Sequence, residues 1–115
     1  MVNQVVKYST GRLDAVYGAL SHPVRRSVLD QLRPHGATVT QLAARYPMSL
    51  VAVSKHIRVL EDAGLVRRTI QGREHFLSLE ASPLRSAAGW LESYQGFWTD
   101  RLDLLEARIR ERKRR

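Results

Sequence analysis

Cysteine is absent from this chain of 115 residues, and its absence removes several kinds of chemistry at once. Without cysteine there are no disulfides, no thiolate metal ligands and no cysteine nucleophile. Long apolar runs are missing too, because the longest stretch without a charged residue, 34–44, has eleven residues, whereas a membrane helix needs about 20 apolar ones. No signal-peptide pattern opens the chain. We therefore expect a cytoplasmic protein without a membrane partner.

Recognisable catalytic motifs are also missing. The chain has no glycine-rich phosphate loop, no Ser/His/Asp arrangement with a familiar local context and no paired carboxylates on strands. Asp100 and Asp103 lie on one predicted helix, and we interpret them as solvated. Metal-ligand spacing is absent among the four histidines, which are His22, His35, His56 and His75. We predict that the protein is not an enzyme and that it binds no metal or other cofactor.

Acidic residues are few in comparison with basic ones. Asp and Glu number 11 against 19 Lys and Arg, which gives a formal net charge of +8. This excess favours a polyanionic partner, either a nucleic acid or an anionic membrane surface. The apolar fraction of 43% is that of a globular chain, and the length is that of about one small domain.

The first predicted helix starts at Arg12. Its apolar residues, at positions 13, 16, 17 and 20, recur with helical spacing and form one face. The preceding segment, 1–11, has no sustained period, and we predict that it is a flexible arm. A second helix follows from Pro23, because proline is well tolerated in a first turn. Pro34 to Gly36 ends that helix.

Two further short helices follow, with a tight break between them. Thr38 or Thr40 caps the third helix, Pro47 stops it, and Ser49 is a good N-cap for the fourth. Gly64 closes the fourth helix as the residue after its last turn. This spacing is typical of a helix-turn-helix, whose second helix is presented to a DNA major groove. Two ordinary packed helices are the alternative interpretation.

The hydrophobic period changes from 3.6 to 2 after the fourth helix. Residues 65–70 and 75–79 are rich in β-branched, apolar and aromatic side chains, and they flank a turn in which Gly72 takes a positive φ at low cost. The pattern predicts a β-hairpin with Arg73 at its tip. A helix-turn-helix followed by a basic hairpin is the winged helix-turn-helix arrangement. The predicted fold is therefore mainly α with a small β-hairpin (α+β): four helices, two strands and a fifth helix.

The fifth helix is predicted to be long. Apolar residues recur in it every seven positions, at Leu84, Leu91, Trp98 and Leu105. A second row lies four positions beyond each, and such a double stripe is the seam of a helix that pairs with another helix. As a helix, residues 83–109 span about 40 Å, which is more than so small a domain covers, so the helix needs a partner. We place the domain at 12–110 and a basic tail at 111–115.

Three stretches of the sequence resemble a known family. They are LDAVYGALSHPVRR at 13–26, QLA at 41–43 and MSLVAVSKHIRVLEDAGLV at 48–66. Together with the hairpin they are similar to the arsenical-resistance repressor (ArsR/SmtB) winged-helix transcription regulators, over residues 12 to about 105. The resemblance implies a bacterial homodimeric repressor that binds a palindromic DNA operator, with its first and last helices at the dimer interface. Its own promoter is one expected target.

The resemblance also implies a branch that does not sense metals. Many relatives bind metal through cysteines near the start of the third helix, where this chain has Thr38 and Thr40. A hydroxyl does not replace a thiolate as a soft-metal ligand. Other relatives use Asp and His of the last helix, which here contains no histidine. A small-molecule effector is the other kind of signal, and its identity stays open.

The fourth helix supplies most of the predicted DNA contacts. Its apolar face turns Val51, Ala52 and Lys55 outward in the first turns, where Lys55 reaches a guanine edge or a phosphate and the other two reach a thymine methyl. Ser54 matches a DNA-contacting position of the family, and Arg73 is predicted to contact the minor groove or a phosphate. The full predicted set is Thr40, Gln41, Ser49, Val51, Ala52, Ser54, Lys55, His56, Arg58, Arg67 and Arg73.

Several of these residues have a second interpretation. Thr40 serves equally well as a helix cap alone, and Lys55 as a solvated charge. His56 lies toward the edge of the buried face, so packing is as good an account of it as a DNA contact. Strand alternation puts Arg67 and Arg68 on opposite faces of the hairpin, so both cannot point at the same groove.

Contacts between subunits are predicted on the first and last helices. The set is Leu13, Val16, Tyr17, Leu84, Leu91, Tyr94, Trp98, Leu102 and Leu105. Trp90 and Trp98 either frame a ligand pocket at that interface or belong to the core, and we favour the core. A basic amphipathic membrane-surface module and an RNA-binding module are the rival functions. The first does not explain the hairpin, and the second needs exposed aromatic platforms, for which the hairpin offers only Phe76, which we expect to pack inward.

Overall fold

Residues 2–114 are described in the structure, a computed structural model, with side chains described from Gly11 onward. The elements in chain order are α1 (Val2–Leu20), α2 (Pro23–Leu32), β1 (Ala37–Thr38), α3 (Val39–Ala43), α4 (Leu50–Asp62), β2 (Val66–Gln71), β3 (Glu74–Leu79) and α5 (Ser82–Arg114). This order confirms the predicted winged helix-turn-helix and adds one short strand, β1.

An apolar core joins the helices to the base of the hairpin. Val53, Ile57 and Leu60 of α4 are fully buried in it, as the helical face predicted. Leu77 of β3 and Ala87 of α5 belong to the same buried cluster. Since these apolar residues of α4 are buried inside the domain, the opposite face of α4 is the one that can contact solvent or a partner.

Local capping interactions define the ends of α3 and α4. The Thr38 hydroxyl accepts a hydrogen bond from the Gln41 backbone N–H at 3.2 Å, and the Gln41 side-chain oxygen accepts one from the Thr38 N–H at 3.0 Å. This reciprocal pair is a capping box. Ser49 caps α4 by accepting from the Ala52 N–H at 3.1 Å. Gly64 follows the end of α4 with a φ of 76°, as a residue in this position requires.

The hairpin of β2 and β3, residues 66–79, is called the wing below. It pairs in register from Val66 opposite Leu79 to Gln71 opposite Glu74. Gly72 occupies the first of the two loop positions with a φ of 62°, which suits a type II′ turn. β1 extends the sheet in the order β1-β3-β2. The sequence did not predict β1 because two residues are too few to show an alternating pattern.

The bounds of the outer helices differ from the prediction. α1 begins at Val2 and not at Arg12, so the segment expected to be a flexible arm has a helical backbone from Val2 onward; Met1 lies outside the described residues. No proline interrupts this segment, and a helix once nucleated gains one hydrogen bond for each residue it adds. A helix can therefore extend well beyond its apolar face.

α5 likewise continues through most of the expected basic tail, to Arg114; Arg115 lies outside the described residues. An ion pair between Glu106 and Arg110, one turn apart at 2.7 Å, supports this end of the helix. Basic side chains in the last turn also interact favourably with the negative end of the helix dipole.

Within residues 11–114, α5 contacts α1 near its own start. The Tyr17 hydroxyl donates to the Ala87 carbonyl at 2.7 Å, and the Tyr17 and Trp90 rings meet edge-on with centroids 5.9 Å apart. From residue 91 to residue 114 every described side chain of α5 is exposed. The helix thus leaves the core and projects from it, and the longest dimension of the molecule is 72 Å.

Candidate nucleic-acid interface

The first two turns of α4 expose apolar and basic side chains together. Val51 and Leu50 keep 66% and 52% of their surfaces accessible. Together with Ser54, Lys55 and Arg58 they line a shallow depression on the outer face of the helix. Apolar side chains beside a hydroxyl and two cations suit the edge of a base pair, which offers thymine methyl groups next to hydrogen-bonding atoms.

A second groove runs between α4 and the wing. It is lined by Thr40 at the start of α3, Ser54 of α4, and Arg73 at the tip of the wing. These three residues are distant in sequence, and the fold brings them to one surface. The predicted DNA-binding residues of the two helices and of the wing tip are therefore adjacent in space.

The two arginines of β2 point to opposite faces of the wing, as strand alternation predicted. Arg68 faces α4, where its guanidinium donates to both carboxylate oxygens of Glu61 at 2.6 and 3.2 Å. Its other nitrogen lies 3.0 Å from Nδ1 of His75 on β3. Arg67 faces the other way and forms an ion pair with Glu80 at 3.0 Å. Arg67 therefore does not share a surface with the exposed face of α4.

His56 packs against α2 instead of standing free on α4. Its ring centroid lies 4.4 Å from that of His22, and its Nδ1 lies 3.3 Å from a guanidinium nitrogen of Arg25. Arg25 in turn donates to the Ala19 and Gly18 carbonyls at the end of α1, at 2.7 and 3.1 Å. Burial, and then the neighbouring His22 and Arg25, lower the pKa of His56. Of the two interpretations of this residue, packing is the one these contacts support.

Hydroxyl and amide groups at the helix starts are already engaged within the domain. Gln41 and Ser49 make the capping hydrogen bonds described above, and the Thr40 hydroxyl lies 3.3 Å from that of Thr38. Thr38, not Thr40, is the N-cap of α3. All three predicted residues, Thr40, Gln41 and Ser49, nevertheless lie exposed on the surface.

The residues predicted at the dimer interface divide into two groups. Val16 is 3% exposed and belongs to the core of its own subunit, so little of its surface is left for an intersubunit seam. The helical period that marks a dimer face marks a core face equally well. The same core also partly buries three other members of this group, which are Leu13, Tyr17 and Leu84. The other group has roughly half or more of each residue's surface exposed, and its members are Leu91, Tyr94, Trp98, Leu102 and Leu105.

The three aromatic residues expected to lie inside are all partly or largely exposed. Trp90 and Trp98 keep 47% and 61% of their surfaces accessible, so the interpretation that they belong to the core is wrong. The reason is that α5 leaves the core after Ala87. Phe76, expected to pack inward, lies beside Gly36 and is 40% exposed.

Glu61, His75 and Arg25 were not among the predicted site residues. Each makes its main side-chain contact with a residue of another element. No periodic pattern marks such pairs, and only the spatial arrangement shows them. Within the part of the chain that the structure describes, no three His, Asp or Glu side chains group as metal ligands would, and no helix has the length and apolar character needed to cross a bilayer.

The sequence is similar to known DNA-binding regulators over most of its length. A family model for a helix-turn-helix domain matches residues 20–69, which contain α2, α3, α4 and part of the wing. The HTH-type transcriptional regulator YuzN of Bacillus subtilis (strain 168) is 34% identical over a 90-residue alignment that covers 71% of this chain and 98% of that protein. The transcriptional repressor SdpR of the same organism is 26% identical over an alignment that covers 71% of this chain and 91% of that protein.

Solved structures agree with this similarity. An ArsR family transcriptional regulator is 37% identical and superposes with a TM-score of 0.74, over 78% of this chain and 93% of that one. The chain belongs to the ArsR family. An ArsR-like regulator from Rhodococcus sp. RHA1 is 31% identical, with a TM-score of 0.69 over 84% of this chain and 92% of that one. This ArsR family protein is therefore a transcription regulator with a helix-turn-helix DNA-binding domain, and its family is not one of enzymes.

Proposed function

We propose that this regulator is a homodimeric repressor that binds a palindromic operator in double-stranded DNA. The observation that carries the proposal is the surface shared by α4 and the wing tip. Val51, Ser54 and Lys55 line one groove of this surface, and Ser54 and Arg73 line the adjoining one. Neither Lys55 nor Arg73 forms an ion pair within residues 11–114. Both cations are thus available to phosphates or base edges.

In this proposal α4 is the recognition helix. Its N-terminal turns enter the major groove, where Val51, Ala52, Ser54, Lys55 and Arg58 contact bases or phosphates. Arg73 contacts the phosphate backbone or the minor groove beside it. Arg67 and His56 are left out of the DNA surface, because the first lies on the other face of the wing and the second is held by α2.

Dimerisation is supported by the unpartnered apolar face of α5. Leu91, Trp98, Leu102 and Leu105 are each more than half exposed on a helix that continues far beyond its own core. Pairing with α5 of a second copy buries this row and presents two recognition helices to two half-sites related by two-fold symmetry. The similarity to the repressor SdpR supports repression as the sign of regulation.

Sequencing the genomic DNA that co-purifies with the protein tests the proposal. We expect enrichment of short inverted repeats, with the protein's own promoter among them, and repression of a reporter placed behind such a site. Titration of the purified protein into the recovered duplex and into a scrambled duplex of equal length then gives the specificity. Equal affinity for both duplexes, or stronger binding to single-stranded RNA or to anionic liposomes, would contradict the proposal.

A further inference from the structure

A cleft of about 640 Å³ lies between the two outer helices and the base of the wing. Leu13 and Val16 of α1, Val66 of β2, and Pro83 and Trp90 of α5 form much of its wall. It is separate from the grooves of α4 and the wing tip, since it shares none of their lining residues. Clefts of about 300–1,000 Å³ with mainly apolar walls are typical of small-molecule sites.

Charged groups are also present among the residues that line the cleft. They are Arg12, Arg67 and Glu80, and Arg67 and Glu80 form the ion pair already described. Arg67 contacts Glu80 through Nη2 at 3.0 Å, and a guanidinium has five N–H donors in all. A ligand that fits this arrangement has an apolar body for the wall and an anionic group for Arg67. A carboxylate pairs with a guanidinium through two parallel hydrogen bonds, which gives the charged end a defined orientation.

We propose that this cleft binds an amphipathic carboxylic acid with an aromatic or long aliphatic body, and that its occupancy changes the affinity for DNA. Trp90 contributes the largest apolar side chain of the wall, and its ring also contacts Tyr17 of α1. A flat aromatic acid beside Trp90 gains offset or edge-on ring contacts in addition to the burial of apolar surface.

The position of the cleft supplies the connection to DNA binding, and this part of the inference rests on the proposed function. Ala63 and Gly64, which directly follow α4, line the cleft together with the first residues of β2. The facing wall is α5, which also carries the exposed apolar side chains proposed to pair with a second copy. A ligand between these elements therefore changes the position of the recognition helix or the wing relative to α5, provided that it binds one arrangement more tightly than the other.

The experiment measures ligand binding directly, without DNA. Trp98→Phe leaves Trp90 as the sole tryptophan, and its fluorescence reports separate titrations of the full chain with decanoate and with 1-naphthoate. 1-Decanol and 1-naphthalenemethanol serve as neutral probes of matched shape. We expect saturable binding of at least one carboxylate and at least tenfold weaker binding of its neutral counterpart. Equal binding of acid and alcohol, or no saturable binding, would overturn the proposal.

Two variants with matched controls locate the site. Ser86→Phe fills the cleft from α5 and should abolish binding, whereas Ala107→Phe, on an exposed part of the same helix, should not. Arg67→Gln should remove the preference for the acid, whereas Arg33→Gln, which removes the cation of another exposed ion pair, should keep it. Binding that persists in Ser86→Phe would overturn the site.

A final titration separates this inference from the proposed function. Saturation with the bound carboxylate should change operator affinity at least fivefold in the parent protein and leave it unchanged in Ser86→Phe. Carboxylate binding with no DNA binding at all would contradict the proposed function and leave the ligand site standing. Carboxylate and DNA binding with no effect on each other would overturn the coupling.

Discussion

Arg68 of β2 binds Glu61 of α4 through two hydrogen bonds, at 2.6 and 3.2 Å, and this pair joins the wing to α4. Both side chains are about one quarter exposed, so water screens the pair only in part. His75 contacts the same guanidinium from β3. The angle of the wing relative to α4 therefore depends on a cluster near the end of the helix, away from the predicted base contacts.

A double-mutant cycle measures this connection. Arg68→Met and Glu61→Gln should each lower the free energy of unfolding, and the coupling between them should be about 1–2 kcal/mol, because each variant removes a two-point charged hydrogen bond. Urea unfolding of the two single variants and the double variant gives the value. The exposed pair Arg33 and Asp30 is the control, with a coupling below about 1 kcal/mol. Equal coupling in the two pairs would contradict the prediction.

Gly36 should be required for packing at the edge of the sheet. A Cβ at this position would lie 2.5 Å from the Leu77 carbonyl oxygen and 2.5 Å from the Phe76 ring. Gly36→Ala should therefore lower the free energy of unfolding by about 1–3 kcal/mol. Gly18→Ala is the control, since no atom beyond its own helix lies within 4 Å of the added Cβ, and its stability should be unchanged or higher. Thermal or urea unfolding of both variants checks this.

Lys55 and Arg73 should differ in how they affect DNA binding. Both variants, Lys55→Ala and Arg73→Ala, should make log affinity less steep in log salt, by about 0.9 for each phosphate that the protein no longer neutralises. Lys55→Ala should also reduce discrimination between operator and scrambled duplex, by about 1–3 kcal/mol if Lys55 hydrogen-bonds a base edge. Arg73→Ala should weaken binding to both duplexes by similar factors if Arg73 contacts phosphates, which carry no sequence information.

Titrations at several salt concentrations on both duplexes separate these effects. Arg33→Ala removes an exposed cation that lines neither of the two grooves and is the matched control for charge. If Arg73→Ala removed discrimination and Lys55→Ala preserved it, the wing would be the reading element and the assignment of α4 would be wrong.

The proposed dimer seam is tested by placing charges on the exposed apolar side chains of α5. Leu91→Glu together with Leu105→Glu should give a monomer in sedimentation, because a charge buried without a partner costs several kcal/mol. Ala107→Glu, on the opposite side of the same helix, should leave the dimer intact. An unchanged dimer in the first variant, or a monomeric parent protein, would show that this row does not join subunits.

Acid should destabilise the fold through His56. Its pKa is lowered in the folded protein, mainly by burial and also by His22 and Arg25, so the unfolded chain takes up a proton first as the pH falls. The free energy of unfolding should then decrease as the pH falls below about 6.5 and level off below the pKa of the folded protein. His56→Gln should flatten this dependence in urea unfolding series. The same dependence in His56→Gln and in the parent protein would contradict the prediction.

The sequence alone determined the features that depend on neighbours along the chain. The buried face of α4, with Val53, Ile57 and Leu60, follows from a period of 3.6 residues. Its first and last residues follow from Ser49 and Gly64, and the wing turn follows from Gly72, because caps and tight turns are decided by one or two residues. These local rules were enough to predict the winged helix-turn-helix.

The tertiary structure decided which face of an element is covered and by what. Periodicity marks an apolar face but not its partner, so Val16 belongs to its own core whereas Trp98, on a similar stripe, is exposed. Contacts such as Arg68 with Glu61, or His56 with His22, join elements whose relative positions depend on the packing of the whole core. A long polar side chain has the same local sequence signal whether it is paired or solvated, and only the fold distinguishes the two.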